Sequence, residues 1–221
     1  MSRHGNGTDQ RVVFGYIPST SPHTVAIWVN LDTDQASIVG YFSSADSISS
    51  NAKGVTLQKP STDTGVVAVG ADGTNFKTVS STSLVGTGVW KHIIQIYNTT
   101  DLRLYFGGAE EGTPATYASQ VDAASDNLAA LDQVSFSGRE MDGLSAELTV
   151  WNVALNAAER KALSKGVNPF AIRNESQQSN HPMYGVHDPE VDLTGNGHTG
   201  TVTGATKGKH PSQAELLENY L

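Results

Sequence analysis

Cysteine is missing altogether, which excludes thiol catalysis, thiolate metal sites and any disulfide framework. Its absence fits a cytosolic origin. Long apolar runs are missing too: no stretch could span a membrane, and the opening MSRHGNGTDQ is polar, without the hydrophobic segment of a secretion signal. Basic residues are few, with 14 Lys and Arg against 22 Asp and Glu, a formal charge of -8. No Lys/Arg cluster offers phosphates a landing site, which argues against nucleic acid as a partner, and without a long apolar run no membrane insertion is expected. Catalytic signatures are also absent. There is no Gly-x-Ser-x-Gly elbow and no phosphate-binding loop, and Gly195-Asn196-Gly197 reads as a turn because no helix or lysine follows it.

What is present is turn chemistry and alternation. Twenty-two glycines, with many Ser and Thr, separate short apolar runs about 8–12 residues apart, the rhythm of a sandwich or barrel. Val12, Phe14 and Tyr16 alternate, then Val25, Ile27, Val29 and Leu31, with Ala26 and Trp28 apolar on the opposite face, so that strand is expected to be central. Further strands are predicted at 38–42, 55–57, 66–69 and 76–79. The strongest hairpin joins Trp90–Tyr97 to Leu102–Phe106 through Asn98–Asp101. Residues 107–127 read as a long loop, 131–137 as a strand and 172–180 as a polar linker, with short strands at 183–186 and 199–202.

The stretch DGLSAELTVWNVALNAAERKALSKGVNPF, Asp142 to Phe170, organises the rest. Leu144, Ala146, Leu148 and Val150 alternate with Ser145, Glu147, Thr149 and Trp151, the period of a half-buried strand. Asn156 and Glu159 then form a capping box, Leu155, Ala158, Ala162 and Leu163 share a helical face, Gly166 suits the left-handed position after the helix, and Pro169 prevents a restart. At the far end, Ser212 and Glu215 form a second capping box before an apolar face of Leu216, Leu217, Tyr220 and Leu221.

Three stretches carry a resemblance. Trp151-Asn152 with Leu155, Glu159, Leu163, Gly166 and Pro169, the run TVAIWVN from Thr24, and VWKHIIQIYNTTDLRLYFGG from Val89 together resemble laminin-G-like jelly rolls of the concanavalin-A-like lectin and glucanase group. In the second hairpin Trp90, His92, Tyr105 and Gly108 match, but Gly107 stands where the family usually has Asp. DLTGNGHTGT, from Asp192, resembles the hairpin that often closes such domains. The resemblance, over roughly Val12 to Thr203, implies an all-β, two-sheet antiparallel jelly-roll sandwich with a short helix after the closing strand. With the polar start and the second capping box, the chain is expected to divide into a flexible arm at 1–10, a jelly-roll domain at 11–206 and a tail with a short C-terminal helix at 207–221.

Function follows less directly, because this fold hosts lectins, hydrolases and structural modules. Glucanases of the group need alternating Glu and Asp on one strand, so that two carboxyls stand about 5–5.5 Å apart. Here Glu140-Met141-Asp142 and Glu190-Val191-Asp192 each lack the second Glu. The chain is therefore expected to be non-catalytic, with a divergent glycoside hydrolase the remotest alternative. Trp28, Trp90 and Trp151 read as packing residues of one two-sheet core, and His92 as structural. A glycan site would fall to Tyr97, Arg103 and Tyr105, for which an ordinary sheet surface is the plainer reading. No metal ligand set is predicted and no cofactor. Asp32 with Asp34, or Asp188 with Glu190 and Asp192, could reach Ca²⁺, but solvated turn acids explain them better. The expectation is a surface-contact module, homo-oligomeric, decorating a bacteriophage virion or its fibres after synthesis in the host cytoplasm, with Leu216, Leu217, Tyr220 and Leu221 as assembly interface. A soluble lectin binding cell-surface glycans is the alternative.

Overall fold

The computed structural model describes residues 2–18, 22–44, 53–61, 65–122, 127–133 and 136–211. In chain order its strands are β1 (Ser2–Asn6), β2 (Arg11–Tyr16), β3 (His23–Leu31), β4 (Val39–Ser43), β5 (Val55–Lys59), β6 (Val67–Ala71), β7 (Phe76–Ser80), β8 (Lys91–Tyr97), β9 (Asp101–Phe106), β10 (Ala109–Thr116), β11 (Asn127–Ala130) and β12 (Asp142–Trp151). Helix α1 (Ala157–Ser164) follows, then β13 (Gln177–His181), β14 (Thr201–Thr203) and β15 (Thr206–Gly208). They form two antiparallel sheets. One runs β10-β9-β8-β3-β12-β1-β15, with β13 also paired to β12, and the other β14-β2-β11-β4-β5-β6-β7. The two-sheet sandwich expected from the spacing is what the chain forms.

Between the sheets lies one apolar core, including Phe14, Ile27, Tyr41, Leu57, Ile93, Leu104, Leu148 and Val150. The three tryptophans are buried but outside it. Trp28 and Trp90 pack with Ala146 on the outer face of the β3–β8–β12 sheet, while Trp151 packs there with Ile94, Ile96, Tyr105, Leu155 and Leu163. The expected single core is therefore corrected to an inter-sheet core with two outer clusters. Trp28 lies on the face of β3 opposite Ile27, and a bulge in β12 decides which residues of that strand join it. Opposite Trp28 stands Ala146, but opposite Ala26 stands Thr149, one residue further on than regular pairing allows, and Glu147 takes a left-handed φ of 52°. One extra residue inverts the parity of the strand. Leu144 and Ala146 point outwards, and Leu148 and Val150 point inwards.

Helix α1 begins and ends as its sequence directs. The Asn156 side chain accepts from the amides of Ala158 and Glu159, while Glu159 accepts from the Asn156 amide at 2.7 Å. Gly166 closes it with a φ of 78°. Leu155 and Leu163 dock on Trp151, whose indole N–H donates to the Ile172 carbonyl at 2.8 Å.

Several expectations are overturned where backbone pairing outweighs side-chain pattern. The N-terminal segment is no loose arm: β1 lies between β12 and β15. Arg3 is fastened there by a 2.9 Å bond from Nε to Glu190 and by bonds to the carbonyls of Ala205 and His187. Pairing of Lys207 and Gly208 with β1 likewise places the start of the expected tail inside the sheet. Residues 109–116, expected as loop, form edge strand β10, and 177–181, expected as linker, form β13, whereas 183–186 is not a strand. The strand expected at 131–137 lies earlier, at β11. The helix expected beyond Ser212, with Leu216, Leu217, Tyr220 and Leu221, lies outside the described residues.

Gly107 departs from the resemblance without disturbing the turn. Phe106 pairs with Ala109 across the β9–β10 turn, and the two central residues, Gly107 and Gly108, have φ of 54° and 85°. A two-residue turn with positive φ at both positions accepts Asp-Gly and Gly-Gly alike.

Candidate functional site

The β8–β9 hairpin separates the three residues assigned to a glycan site. Ile94 pairs with Tyr105 and Ile96 with Arg103, whereas Tyr97 pairs with Leu102. Tyr97 therefore faces the inter-sheet core, fully buried, with its ring stacked on Tyr117 at 4.5 Å and its hydroxyl 3.0 Å from the carbonyls of Thr99 and Tyr117. It is a core residue. Arg103 and Tyr105 stand on the outer face, on the same side as Ile94, not opposite it.

Three recesses open around that outer face. The first, of about 260 Å³, lies where β8 begins and the β9–β10 turn ends, lined by Trp28, Lys91, His92, Gly107, Glu111 and Ser83 among others. Its wall is the Trp28 indole beside the His92 imidazole, with ring centroids 4.8 Å apart. Burial pushes His92 down to about 3, so the ring is neutral, and its Nδ1 has no hydrogen-bond partner among the described residues. Glu111 is committed: its carboxylate accepts from the Thr82 amide and hydroxyl and from the Ser83 amide and hydroxyl, at 2.7–3.0 Å. Burial raises its pKa, but these bonds outweigh it and leave the group below the usual range. A second recess, of about 330 Å³, adjoins the first through Gly107 and Ala109 and runs to Ala157 and Lys161 of α1.

The third recess, of about 230 Å³, lies between the start of α1 and the outer face of β8–β9, lined by Ile96, Asn98, Arg103, Tyr105, Ala154, Leu155 and Arg160. The Arg160 guanidinium sits 4.0 Å above the Tyr105 ring, a cation–π contact that also covers one face of the ring. Arg103 is held by Glu110 at 2.7 Å and Asp101 at 3.1 Å. Sequence reading missed Trp28, Lys91, His92 and Glu111 as site residues, and Arg160 entirely. Trp28 and His92 carry only a buried-strand signal. Arg160 belongs to the site because of how α1 lies on the sheet, which no local pattern encodes.

The carboxylates singled out for hydrolysis do not meet. Glu190 is fully buried in its pair with Arg3 and also accepts from the Tyr184 amide. Glu140 is buried at the other end of β12, where its charge joins burial in raising the pKa of Asp132. Among the described residues, Glu111 is the one carboxylate lining the three recesses. The acids considered for Ca²⁺ are engaged too: Asp34 pairs with Lys59 at 3.0 Å, and Asp192 accepts from the amides of Asn180, Thr194 and His198. Glu190 and Asp192 are therefore structural acids, not solvated ones. Ligand atoms of His4, Asp32 and Asp142 come within 4.8 Å of one another, with His4 Nε2 2.7 Å from Asp32 and the Thr33 hydroxyl donating to Asp142.

Comparison with known proteins agrees with this architecture. A family model described as the concanavalin A-like lectin/glucanases superfamily matches residues 6–159. No curated protein matches the chain in sequence. Among solved structures, a candidate carbohydrate binding protein of Bacteroides ovatus is 17% identical with a TM-score of 0.72, over 96% of this chain and 60% of that one. Domain 4 of AbnA, a GH43 extracellular arabinanase of Geobacillus stearothermophilus, in complex with arabinotriose, is 17% identical at a TM-score of 0.60, covering 73% of this chain and 75% of that one. The CBM40 of the Ruminococcus gnavus IT-sialidase, bound to α2,3 sialyllactose, is 13% identical at 0.55, covering 74% and 97%. At these identities the likeness is one of fold, and this chain spans 60% of the length of the Bacteroides ovatus protein.

Proposed function

Because the chain belongs to the concanavalin A-like lectin/glucanases superfamily, we propose that it is a non-catalytic carbohydrate-binding module that works by surface contact. The observation that carries this reading is the first recess. It sets the Lys91 amine and the Ser83 hydroxyl oxygen, which suit sugar hydroxyls, over a floor formed by the buried Trp28 indole and the neutral His92 imidazole. Its one carboxylate is saturated with hydrogen bonds and has no partner acid in the recess, which supports binding without hydrolysis. The structurally similar modules in complex with arabinotriose and bound to α2,3 sialyllactose support the same class of ligand.

A glycan array tests this, followed by calorimetry on the best ligand with Lys91→Ala and His92→Phe. Both variants should bind at least tenfold more weakly, with Lys91→Ala leaving the melting temperature unchanged. Binding indifferent to both changes would move the site elsewhere. We keep as a finer proposal that the module decorates a bacteriophage virion or its fibres, attached through Leu216, Leu217, Tyr220 and Leu221. Co-sedimentation with particles, lost on deleting residues 212–221, tests that setting.

A further inference from the structure

The third recess holds a charge without an answer. Arg160 forms no ion pair among the described residues. Its Nη1 donates to the Leu155 carbonyl at 2.7 Å, and its Nε, buried from solvent, has no hydrogen-bond partner among the described residues. The acid beside it on the helix is turned away: Glu159 takes the Asn156 amide with one oxygen and Arg173 with the other. Arg103, across the recess, has its two terminal nitrogens on Glu110 and Asp101 and also engages the Tyr105 hydroxyl. One guanidinium without a counter-acid thus borders the cavity, and its buried Nε donor is of a kind ordinarily satisfied.

Tyr105 adds a third group. Burial, with the charge of Glu110, raises its pKa against the opposing pull of Arg160 and Arg103, so the phenol keeps its proton. At about 230 Å³ the recess is smaller than the ~300–1,000 Å³ of sites for drug-sized ligands, and suits one sugar ring. A guanidinium is a planar fork of donors that matches a carboxylate, and a charge-assisted bond of this kind is about twice as strong as a neutral one.

We propose that this recess binds the carboxylate of an acidic sugar, with Arg160 as the principal donor and Arg103 and Tyr105 completing the cradle. This assigns a ligand class to a second subsite and rests on the carbohydrate-binding reading above. Arg160 is the element that separates it from a neutral-sugar site: without it, the two acids on Arg103 would leave the recess hostile to a carboxylate.

The test follows the Arg160 Nε–H resonance by ¹⁵N NMR of the full chain during titration with galacturonate, its methyl ester, galactose and acetate. Galacturonate should shift that resonance and bind at least tenfold more tightly than the ester, which is the same sugar without the charge. Arg160→Gln should bring galacturonate down to the affinity of the ester while leaving the ester unchanged, and Arg160→Lys should retain part of the preference. Equal binding of acid and ester would overturn the proposal while leaving the carbohydrate reading intact, as would an Arg160→Gln loss shared equally by both. If acetate alone moves the resonance and no sugar binds, the anion site stands and the carbohydrate reading falls. A resonance that no carboxylate moves would refute the site outright.

Discussion

Acidification from pH 7.5 to pH 5 should destabilise the fold in part through two of its three buried histidines, His92 and His181. His92, against Trp28, is driven by burial to about 3. His181, stacked on Phe14 at 3.8 Å, is driven by burial to about 4 against the opposing pull of Asp192, and its Nδ1–H donates to the Val191 carbonyl at 3.1 Å. Each folded-state pKa lies below the unfolded value of about 6.5, so unfolding takes up protons and stability falls as the pH drops through 6.5 towards the folded value. At pH 5 each histidine has lost about 1.5 units' worth, or about 2 kcal/mol, so the pair costs about 4 kcal/mol relative to pH 7.5. In a chain of this size that is roughly 8–16 °C of melting temperature.

The window isolates the histidines. Asp72, Asp101, Glu111 and Asp192, held below the ordinary carboxylate range, lose their contribution only as the pH falls further. Asp132, raised chiefly by burial, favours the fold as it protonates. In urea unfolding at pH 5, 5.5, 6, 6.5 and 7.5 these two rings should contribute a slope near 2.7 kcal/mol per pH unit below pH 6, and His92→Phe or His181→Phe should each remove about half of that contribution. Stability at pH 5 within ~1 kcal/mol of that at pH 7.5 would refute the assignment of these rings as buried and neutral, as would a slope that neither variant changes.

Other outcomes follow from the same coordinates. Deleting residues 1–6, or Arg3→Ala, should cost about 3–5 kcal/mol in urea unfolding, because it strands the fully buried Glu190; a loose arm would cost nothing measurable. Trp151→Ala should cost about 3–5 kcal/mol as a large-to-small change beneath α1, and amide exchange should show 157–164 losing protection before the inter-sheet strands. Gly143→Ala should fail to fold or lose several kcal/mol, on the order of a severe core mutation. The new Cβ would stand 2.3 Å from the Asn30 carbonyl oxygen, at a φ of 152°.

How much the sequence could tell depended on how local the cause was. The capping box of Asn156 and Glu159 and the Gly166 stop are settled within a dozen residues, and the helix lies where they put it. β3 announces itself because both of its faces are apolar, and all nine residues are buried. By contrast β1 and β13, SRHGN and QQSNH, carry no apolar alternation. They are strands because neighbours supply backbone partners, and a polar side chain such as Arg3 is tolerated inside because Glu190 arrives from the far end of the chain. The bulge at Glu147 leaves no mark in the pattern, so regular alternation through β12 assigns Leu148 and Val150 to the face of Leu144 and Ala146. That one parity error is what assigns Leu144 and Ala146, the neighbours of Trp28 and Trp90, to the inter-sheet core.

The same geometry accounts for the partial reading of the site. Tyr97 and Tyr105 occupy similar places in a hairpin pattern, but register sends one inwards and the other outwards, and only the paired strands fix that register. The outer face then divides by what stands over it. His92 and Ile96 lie four residues apart on one face of β8, roughly 13 Å along an extended strand. Beside His92 the recess is walled by rings and edged by Lys91, Ser83 and Glu111. Beside Ile96 it is capped by Arg160 from the helix. A sugar hydroxyl and a sugar carboxylate make different demands: one needs a mixed set of donors and acceptors, the other an uncompensated donor fork. The first demand is met at the His92 end and the second at the Ile96 end. Changes at Lys91 should therefore weaken neutral and acidic ligands alike, while changes at Arg160 should weaken acidic ligands alone.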